Sequence, residues 1–259
     1  ILRCDANNFY ASVECLGRPD LKNKPVAVCG DAEKRHGIIL AKNDIAKKAG
    51  VKTAETINSA RNKCPDLVLV SPHFEKYVAV SDSIFDIYKQ YTDKVEPFGI
   101  DEGWLDVTSS SRLFGDGDKI ANELRARVKK QIGLTISVGV SFTKIFAKLG
   151  SDLKKPDATT LISPQNFKQL IWPLPASEML MVGGRTYAAL LSLGIRTIGD
   201  LACADETLLT QKLGVNGGKL RSYANGEEGE DVREYYNGRV HKSIGHSTTM
   251  PKDVTSRDE

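Results

Sequence analysis

Two short segments that carry three acidic residues constrain this chain more than any other feature. The first, Cys4–Glu14, predicts a buried apolar strand that ends in the carboxylate of Asp5. The second, Gly99–Val107, predicts a hairpin with Asp101 and Glu102 at its tip and apolar residues on both sides. Although the segments are far apart in the sequence, we expect the three carboxylates to meet at one edge of a sheet.

Converging carboxylates of this kind suit phosphoryl transfer. A few of them can hold Mg²⁺ through oxygen ligands while substrate phosphates complete the metal's coordination shell. Two such ions, roughly 3.5 to 4 Å apart, can stabilise the attacking and leaving oxygens together. Two plainer interpretations stay open at this point. Asp5 could cap a helix over Phe9–Cys15, and Asp101 with Glu102 could form an ordinary solvated turn.

Further motifs in the same chain order narrow the choice. Tyr10 follows the first acid by five residues, and residues 141–156 read SFTKIFAKLGSDLKKP. Together these segments resemble the motifs of a Y-family translesion DNA polymerase, closest to the polymerase IV-like branch, and the resemblance covers essentially the whole chain. It implies a template-directed DNA polymerase that transfers a nucleotide from a dNTP to a primer 3′-hydroxyl, with low fidelity and no proofreading, in DNA repair and replication.

The resemblance assigns roles to individual residues. It implies three catalytic carboxylates that also bind metal, Asp5, Asp101 and Glu102, with the backbone carbonyl of Ala6 as a further ligand. The implied cofactor is Mg²⁺, as two ions, with Mn²⁺ as an alternative. The implied nucleotide-binding residues are Phe9, Tyr10, Lys47 and Lys155. Tyr10 matches the steric gate, a bulky ring that excludes a ribose 2′-hydroxyl; the alternative is a core tyrosine beside Phe9.

Two further groups of residues are implied to contact the nascent base pair and the DNA. The roof over the base pair maps onto Ile38, Leu40 and Ala54. The DNA phosphate contacts map onto two glycine-centred turns between helices, and their residues are Gly183, Gly184, Arg185, Gly217 and Gly218. Glycines allow backbone N–H groups to approach a phosphate near a helix N-terminus, although glycines between helices are often only helix caps.

The chain also departs from the family pattern. Many relatives have a tyrosine at the position of Asp44, and a carboxylate there would repel phosphates, so we expect Asp44 to point away. Lys47 replaces an arginine, which keeps the charge but loses the two-pronged hydrogen bond. Gly103 stands where the polymerase IV-like pattern commonly has cysteine. None of these changes removes a predicted metal ligand.

The order of predicted elements indicates an α+β fold. A strand, helix, hairpin, helix and strand in succession predict a split βαβ (ferredoxin-like) palm, with a small α/β fingers insert and an all-helical helix-hairpin-helix thumb. The predicted boundaries are 1–14 and 74–162 for the palm, 15–73 for the fingers, 163–229 for the thumb, 230–240 for a linker and 241–259 for the start of a little finger.

Local patterns predict individual elements within these boundaries. Beyond Pro156 the composition indicates helices, the first opening at Ser163-Pro164-Gln165, and the acidic stretch Glu227–Glu234 is expected to be a solvated linker. The remaining predicted elements are strands at Val26–Cys29, Ile38–Leu40, Leu134–Val140 and Lys242–Met250, and helices over Lys42–Ala49, over Phe74–Tyr91 and through Ile120, Leu124 and Val128.

Composition adds little beyond this. The net charge of +3 is weak support for a nucleic-acid partner, although residues 42–63 carry six basic and two acidic side chains. Five cysteines without a C-x-x-C pair indicate free thiols in a reducing cytosol. No apolar run is long enough to span a membrane. We therefore expect a cytoplasmic protein, without a membrane, that acts as a monomer.

The expected partners are primer-template DNA and a dNTP. The resemblance also implies a sliding clamp, but the usual C-terminal region that binds it lies beyond this chain, which starts at Ile1 rather than Met and is expected to be trimmed. Two other functions stay open: a catalytically idle DNA-binding fragment, and a palm-type nucleotide cyclase. The steric-gate tyrosine, the fingers insert and the thumb argue against the cyclase.

Overall fold

The computed structural model describes residues 1–21, 23–30, 37–227, 229–235 and 243–245. The chain divides into two compact units, Ile1–Asn7 with Ser83–Tyr235, and Asn8–Asp82 with Tyr236–Glu259. These units do not follow the predicted boundaries at 14 and 73, so the division into palm, fingers and thumb stays a prediction. The predicted little-finger strand lies outside the described residues except for 243–245. Within the described ranges, no helix is long and apolar enough to cross a membrane.

The described part of the chain contains helices and strands in a mixed order. The helices are α1 (Phe9–Cys15), α2 (Asp44–Lys48), α3 (Ile57–Lys63), α4 (Phe74–Lys89), α5 (Ser111–Phe114), α6 (Gly117–Gln131), α7 (Lys144–Leu153), α8 (Phe167–Ile171), α9 (Gly184–Ser192), α10 (Ile198–Cys203), α11 (Glu206–Leu213) and α12 (Val215–Ala224). The strands are β1 (Leu2–Ala6), β2 (Val26–Cys29), β3 (Ile39–Lys42), β4 (Val68–Val70), β5 (Val95–Pro97), β6 (Glu102–Leu105), β7 (Ile136–Ser141) and β8 (Thr159–Ile162).

The larger unit is built on a five-stranded sheet with the order β5-β6-β1-β7-β8. Strand β1 lies at its centre and pairs antiparallel with both β6 and β7, while β7 and β8 are parallel. Helix α6 buries the predicted stripe of Ile120, Leu124 and Val128. The predicted α+β class with a split βαβ sheet is therefore confirmed.

Helix α7 packs directly on strand β7 because both elements carry a glycine at their contact. A Cβ atom on Gly139 would lie 1.8 Å from the backbone oxygen of Ala147, and one on Gly150 would lie 3.1 Å from Cα of Gly139. This close approach holds α7, and the loop that follows it, against the centre of the sheet. That loop includes Lys155.

Helices α8–α12 form the helical region predicted after the sheet, and their hydrophobic core also includes Phe146 of α7 and Ile162 of β8. Leu190, Ile198, Leu201 and Leu209 are fully buried in it. Strand β8 precedes these helices and was missed, so the prediction that the chain becomes helical beyond Pro156 was wrong for Thr159–Ile162, which lie inside the predicted palm boundary. Helix α8 begins at Phe167, and a helical turn precedes it: the N–H groups of Asn166 and Phe167 donate to the Ser163 carbonyl, and the Asn166 side chain accepts from the Ser163 N–H at 2.8 Å, so the predicted cap at Ser163 agrees with the structure.

The acidic stretch after α12 differs from the predicted solvated linker. Val232 is 4% exposed and packs against Trp104 and Ala147. The backbone N–H of Arg233 donates to Oε2 of Glu96 at 3.0 Å. Tyr235 contacts the ring of Phe85. Residues 229–235 are therefore held against the sheet unit through side chains that the charge pattern alone did not indicate.

The smaller unit contains a three-stranded sheet with the order β3-β2-β4. Strands β2 and β3 are antiparallel, while β2 and β4 are parallel. Its core includes Ile39, Ala46 and Ala60. Helix α2 begins after Asn43, whose side chain accepts from the Ala46 N–H, and ends before Gly50, which has a φ of +89°. The predicted strand at 26–29 and the predicted stop at Gly50 agree with this arrangement.

Candidate active site

Asp5 and Glu102 face each other across two central strands of the larger unit. In the antiparallel pairing of β1 with β6, Asp5 is opposite Glu102, and on the other side of β1 it is opposite Ser137. This register follows from the apolar residues before Asp5, since Leu2 and Cys4 are fully buried. The strand therefore delivers one carboxylate to the end of the hairpin that carries the other two.

Asp101 lies in the tight turn between β5 and β6. Its backbone carbonyl accepts a hydrogen bond from the Ala6 N–H at 2.9 Å, which ties the turn to the end of β1. The N–H groups of Phe98 and Gly99 both donate to the Glu102 carbonyl. Burial, together with the negative charges of Asp5 and Glu102, raises the pKa of Asp101 to about 6. The three predicted carboxylates are thus brought close enough to repel one another.

Lys155 places a positive charge among these acids. Its Nζ lies 2.8 Å from Oδ2 of Asp5 and 2.8 Å from Oδ1 of Asp152. Burial lowers the pKa of Lys155, but the two carboxylates outweigh burial and the net pKa is raised. Lys155 was predicted to contact a triphosphate, and in this structure its ammonium contacts a predicted metal ligand instead.

Arg3 was missed by the sequence reasoning, although it is the residue on β1 that neutralises Glu102. Its guanidinium is fully buried and forms an ion pair with Oε2 of Glu102. It also lies 4.6 Å from the ring centre of Trp104, its cross-strand neighbour, and 5.3 Å from that of Phe98. A charged residue in an otherwise apolar strand, two positions before Asp5, was the available signal.

Asn7 was also missed, and it connects the end of β1 to the loop that carries Lys155. Its side-chain oxygen accepts from the Asp157 N–H at 2.9 Å, and its side-chain nitrogen donates to Oγ of Ser137 at 2.9 Å. Asp157 in turn pairs with Arg125 and Lys129. Asn7 therefore fixes the loop at 155–157 relative to Asp5, a contact that no local sequence pattern indicates.

The donor set fits hard divalent cations, although its side chains already have protein partners. Three carboxylates on adjacent strand ends supply the oxygen ligands that Mg²⁺ prefers. The pKa of Asp101 is raised mainly by burial and further by the negative charges of Asp5 and Glu102, and a bound cation would offset these charges. Across the described ranges, however, no three His, Cys, Asp or Glu side chains are grouped so as to hold a metal ion. Asp5 is engaged by Lys155 and Glu102 by Arg3.

In the smaller unit, Tyr10 lies in a cluster of aromatic rings. Its ring stacks on Tyr77 with centroids 4.3 Å apart and an interplanar angle of 13°. Phe74 meets Tyr10 edge-on at 6.0 Å. Tyr10 is half-buried, whereas Phe9 beside it is buried. The partial exposure favours an accessible ring over a core tyrosine, and the burial of Phe9 leaves its side chain unavailable to a nucleotide.

Helix α2 carries the predicted phosphate-binding lysine. Lys47 is exposed on this helix. Oδ1 of Asp44, at the start of the same helix, accepts a hydrogen bond from Nδ2 of Asn8 at 3.0 Å. The carboxylate is therefore held by a neighbour within this unit. The expectation that Asp44 turns away from a phosphate stays a prediction, as does the role of Lys47.

The three predicted roof residues lie together. Ile38 and Leu40 are two positions apart and so share one face of the extended segment that leads into β3, opposite the buried Ile39. The Ala54 N–H donates to the Ile39 carbonyl at 2.8 Å, which brings Ala54 alongside. Ile38 is 40% exposed. The result is a small apolar patch on the surface of this unit.

The two predicted glycine turns differ from each other. Gly183 caps α9, Gly184 is its first residue, Arg185 is exposed, and a side chain at either glycine would meet open space. The second turn was predicted over residues 214–218, but only Gly214 makes it, because Gly217 and Gly218 lie inside α12.

Gly217 is needed where α12 packs on α11. A Cβ on it would lie 2.3 Å from the Leu209 oxygen, and its N–H donates to the Gly214 carbonyl. Phosphate contacts by either turn stay a prediction.

Comparison with known proteins supports one family. Residues 4–152 match the impB/mucB/samB family. The chain is 53% identical over 259 residues to a DNA polymerase IV of Acetivibrio thermocellus, covering 100% of this chain and 65% of that protein. It is 39% identical over 267 residues to DNA polymerase IV 1 of Bacillus subtilis, covering 100% of this chain and 62% of that protein. The chain thus spans less than two thirds of the length of these curated relatives.

Solved structures with a similar fold are also Y-family DNA polymerases. The fold is similar to a Y-family DNA polymerase chimera of Dbh and Dpo4, with a TM-score of 0.84 and 28% identity over 90% of this chain and 69% of that chain. It is also similar to an insertion ternary complex of Dbh DNA polymerase, with a TM-score of 0.83 and 28% identity over 89% of this chain and 68% of that chain.

Proposed function

The chain belongs to the impB/mucB/samB family, the Y-family polymerases, within their polymerase IV-like branch, and on this premise we propose that it is a template-directed DNA polymerase of the translesion type. It would add a nucleotide from a dNTP to a primer 3′-hydroxyl, with low fidelity and without proofreading. The single observation that supports this most is the meeting of Asp5, Asp101 and Glu102 at one end of the central strands.

The acids of the larger unit supply the chemistry in this proposal. Asp5, Asp101 and Glu102, with the carbonyl of Ala6, would hold two Mg²⁺ ions, which neutralise charge as the primer hydroxyl attacks the α-phosphate. Arg3 keeps the Glu102 carboxylate in a fixed position and balances its charge. Mn²⁺ is an alternative to Mg²⁺, because both are hard cations that accept oxygen ligands.

Lys155 binds the substrate in this proposal. When a dNTP binds, the ammonium of Lys155 would leave Asp5 and contact the triphosphate, since a compact positive charge suits phosphate oxygens. Asp152 stays beside it at 2.8 Å, which limits how far the side chain moves. Asn7 contributes by holding the backbone of the same loop. The larger unit would thereby orient the phosphates without a conformational change of the strands.

The smaller unit supplies selectivity in this proposal. The ring of Tyr10 would exclude a ribose 2′-hydroxyl by its bulk, so deoxyribonucleotides are selected by exclusion. Lys47 would approach the phosphates. The apolar patch of Ile38, Leu40 and Ala54 would cover the nascent base pair. Because two of its three residues are large, tolerance of damaged templates should be selective.

The proposed partners and setting follow from this function. Primer-template DNA would be contacted by the exposed N-terminus of α9, where Gly183, Gly184 and Arg185 lie, and less directly by the helix that contains Gly217 and Gly218. We place the protein in the cytoplasm as a monomer and propose a sliding clamp as a further partner.

One assay separates this function from its alternatives. The protein is incubated with primer-template DNA, Mg²⁺ and one complementary dNTP. Extension of the primer by one nucleotide supports the proposal, a cyclic nucleotide product supports a cyclase, and retention of labelled DNA without any product supports an idle binding fragment. The same reaction with EDTA is the control for metal dependence.

A further inference from the structure

We propose that Glu14 is a positioning residue for sugar selection, which acts through Tyr77 to fix the ring of Tyr10. This inference rests on the proposed function, because it gives a further residue to the selection of deoxyribonucleotides. All of its contacts lie within the smaller unit. Glu14 is the last residue of the Cys4–Glu14 segment, but the sequence assigned it no role, since a glutamate late in a short helix normally faces solvent.

Tyr10 depends on Tyr77 for its orientation. The two rings stack almost in parallel at 4.3 Å, and Tyr77 itself is fully buried. Phe74 braces both rings edge-on, at 6.0 Å from Tyr10 and 5.7 Å from Tyr77, but Phe74 is 54% exposed and gives a weaker support. The half-buried ring of Tyr10 is thus stacked on a ring that does not reach solvent, while the buried ring of Phe9 makes a more distant, tilted contact at 5.8 Å.

Tyr77 is in turn anchored by Glu14. The Tyr77 hydroxyl donates to Oε1 of Glu14 at 2.5 Å. The same oxygen lies 3.0 Å from Nδ1 of His73, and Oε2 lies 3.8 Å from Nζ of Lys76. Burial alone raises the pKa of Glu14, but the hydrogen bonds from Tyr77 and His73 outweigh burial and the net pKa is lowered. The Glu14 carboxylate therefore stays ionised and is a strong hydrogen-bond acceptor for the Tyr77 hydroxyl.

The arrangement goes beyond what packing requires. Glu14 is only 3% exposed, and burying a carboxylate is costly unless it is well hydrogen-bonded. An apolar residue at 14 with phenylalanine at 77 would fill the same space without that cost. The charge-assisted bond instead fixes the hydroxyl end of Tyr77, and hence the plane on which Tyr10 rests. A gate that selects by exclusion needs this rigidity, because a ring that can tilt admits the larger sugar.

Five variants test the inference, with single-nucleotide incorporation as the readout. Glu14→Ala and Tyr77→Phe remove the anchor, and Glu14→Gln keeps an acceptor oxygen at the same place. Tyr91→Phe is the matched control, since the Tyr91 hydroxyl donates to Glu123 at 2.6 Å but its ring packs on Phe114. Tyr10→Ala marks the full loss of the gate. For each, kcat and KM are measured with a dNTP and with the matching rNTP.

We expect the variants that remove the anchor to incorporate the rNTP more efficiently than the unaltered chain does. Glu14→Ala and Tyr77→Phe should raise kcat/KM for the rNTP by roughly 5-fold, mainly through KM, while kcat/KM for the dNTP changes by less than about 2-fold. Glu14→Gln and Tyr91→Phe should stay near the unaltered chain. The inference would be overturned if the Glu14→Ala and Tyr77→Phe variants lost the same fraction of kcat/KM for the dNTP and for the rNTP. It would also be overturned if Tyr10→Ala admitted rNTPs while these two variants left the dNTP to rNTP ratio of kcat/KM unchanged.

A second readout does not need catalysis. In protein labelled with 3-fluorotyrosine, the ¹⁹F resonance of Tyr10 is assigned from the signal missing in Tyr10→Phe. Glu14→Ala should narrow and shift this resonance as the ring becomes mobile, whereas Tyr91→Phe should leave it in place. Should the unaltered chain fail to extend a primer, the proposed function is wrong. The Tyr10 resonance then decides the positioning role alone, and an unmoved signal in Glu14→Ala refutes it.

Discussion

The ammonium of Lys155 lies 2.8 Å from Oδ2 of Asp5, so a side chain predicted to bind phosphate is paired with a side chain predicted to bind metal. Asp5 could not pair with Lys155 and bind a metal ion at the same time, because a divalent cation and an ammonium cannot share one carboxylate oxygen without repulsion. We therefore expect Lys155 to compete with a metal ion for Asp5 in the absence of nucleotide. When a triphosphate is bound, the competition ends and both ligands favour each other's binding.

We predict that Lys155→Met has opposite effects on the two ligands. Without nucleotide, affinity for Mn²⁺ should rise about 10-fold, equivalent to roughly 1.4 kcal/mol, since the competing charge is gone. Affinity for a dNTP should fall. Electron paramagnetic resonance of free Mn²⁺ measures the first, and a fluorescent dNTP measures the second.

Lys148→Met is the control for this comparison, because Lys148 pairs with Asp152 at 2.9 Å and has no contact with Asp5 among its ion pairs in the described residues. It should leave Mn²⁺ affinity nearly unchanged. Equal Mn²⁺ affinity in Lys155→Met and the unaltered chain would show that Lys155 does not guard Asp5.

Asp101 should destabilise the metal-free protein at neutral pH. Burial and the charges of Asp5 and Glu102 raise its folded-state pKa from 3.8 to about 6, so the ionised form costs free energy on folding. That cost is complete above pH 6 and disappears as the pH falls below about 4. Asp101→Asn should therefore stabilise the protein in EDTA at pH 7.5, by up to about 3 kcal/mol, with no gain at pH 4.

Asp106→Asn should have the opposite effect on stability in the same experiment, because it should destabilise the protein at neutral pH. Although burial favours the neutral form of Asp106, the hydrogen bonds from Thr108 outweigh it and lower the pKa. Its ionised form thus stabilises the fold above pH 4, and that contribution is lost at lower pH. Denaturant unfolding in EDTA at several pH values tests both variants. A destabilised Asp101→Asn at pH 7.5 would contradict the charge repulsion at the site.

Gly139→Ala should strongly destabilise the larger unit. Its Cβ would lie 1.8 Å from the Ala147 oxygen, a backbone atom that cannot move without shifting α7 from the sheet. We expect a loss of about 3 kcal/mol or more in the free energy of unfolding. Gly184→Ala, where a Cβ meets open space, should change it by less than 1 kcal/mol in magnitude, roughly the difference in helix propensity. Similar unfolding midpoints for the two would refute the close contact.

Residues 229–235 should be released when their apolar anchor is removed. Val232→Asp places a charge against Trp104 and Ala147 and forfeits the burial of the valine, worth roughly 1.5 to 3 kcal/mol. Trypsin should then cut after Arg233 much faster than in the unaltered chain. Asp231→Asn, at an exposed neighbour, should leave the cleavage rate unchanged. Equal cleavage in both variants would mean that this stretch is not anchored.

Sequence reasoning succeeded where a local pattern sets the structure. The stripe of Ile120, Leu124 and Val128 gave helix α6, and the alternation around Ile136 and Val138 gave β7. It failed where the structure is set by contacts between residues that are far apart in the sequence. Strand β8 forms because it can pair with β7, and a short apolar run of its kind does not reveal that partner.

The site divides in the same way. The carboxylates were found because their spacing fits a motif. Arg3, Asn7 and Glu14 were missed because their roles depend on partners that only the folded chain brings near. The position of Gly217 was misjudged for a related reason, since a glycine that allows helices to touch looks the same in sequence as one that makes a turn.

We expect the acids at the ends of β1 and β6 to catalyse nucleotide addition, and pre-steady-state primer extension measures their contribution to the rate. At saturating dNTP and Mg²⁺, Asp5→Ala, Asp101→Ala and Glu102→Ala should each lower the rate of the first addition by at least about 10³-fold, near 4 kcal/mol of transition-state stabilisation. Asp106→Ala, on the same hairpin, should stay within about 3-fold of the unaltered chain. If an Asp101→Ala protein that folds normally added the nucleotide at the unaltered rate with the same Mg²⁺ dependence, the assignment of the active site would be wrong.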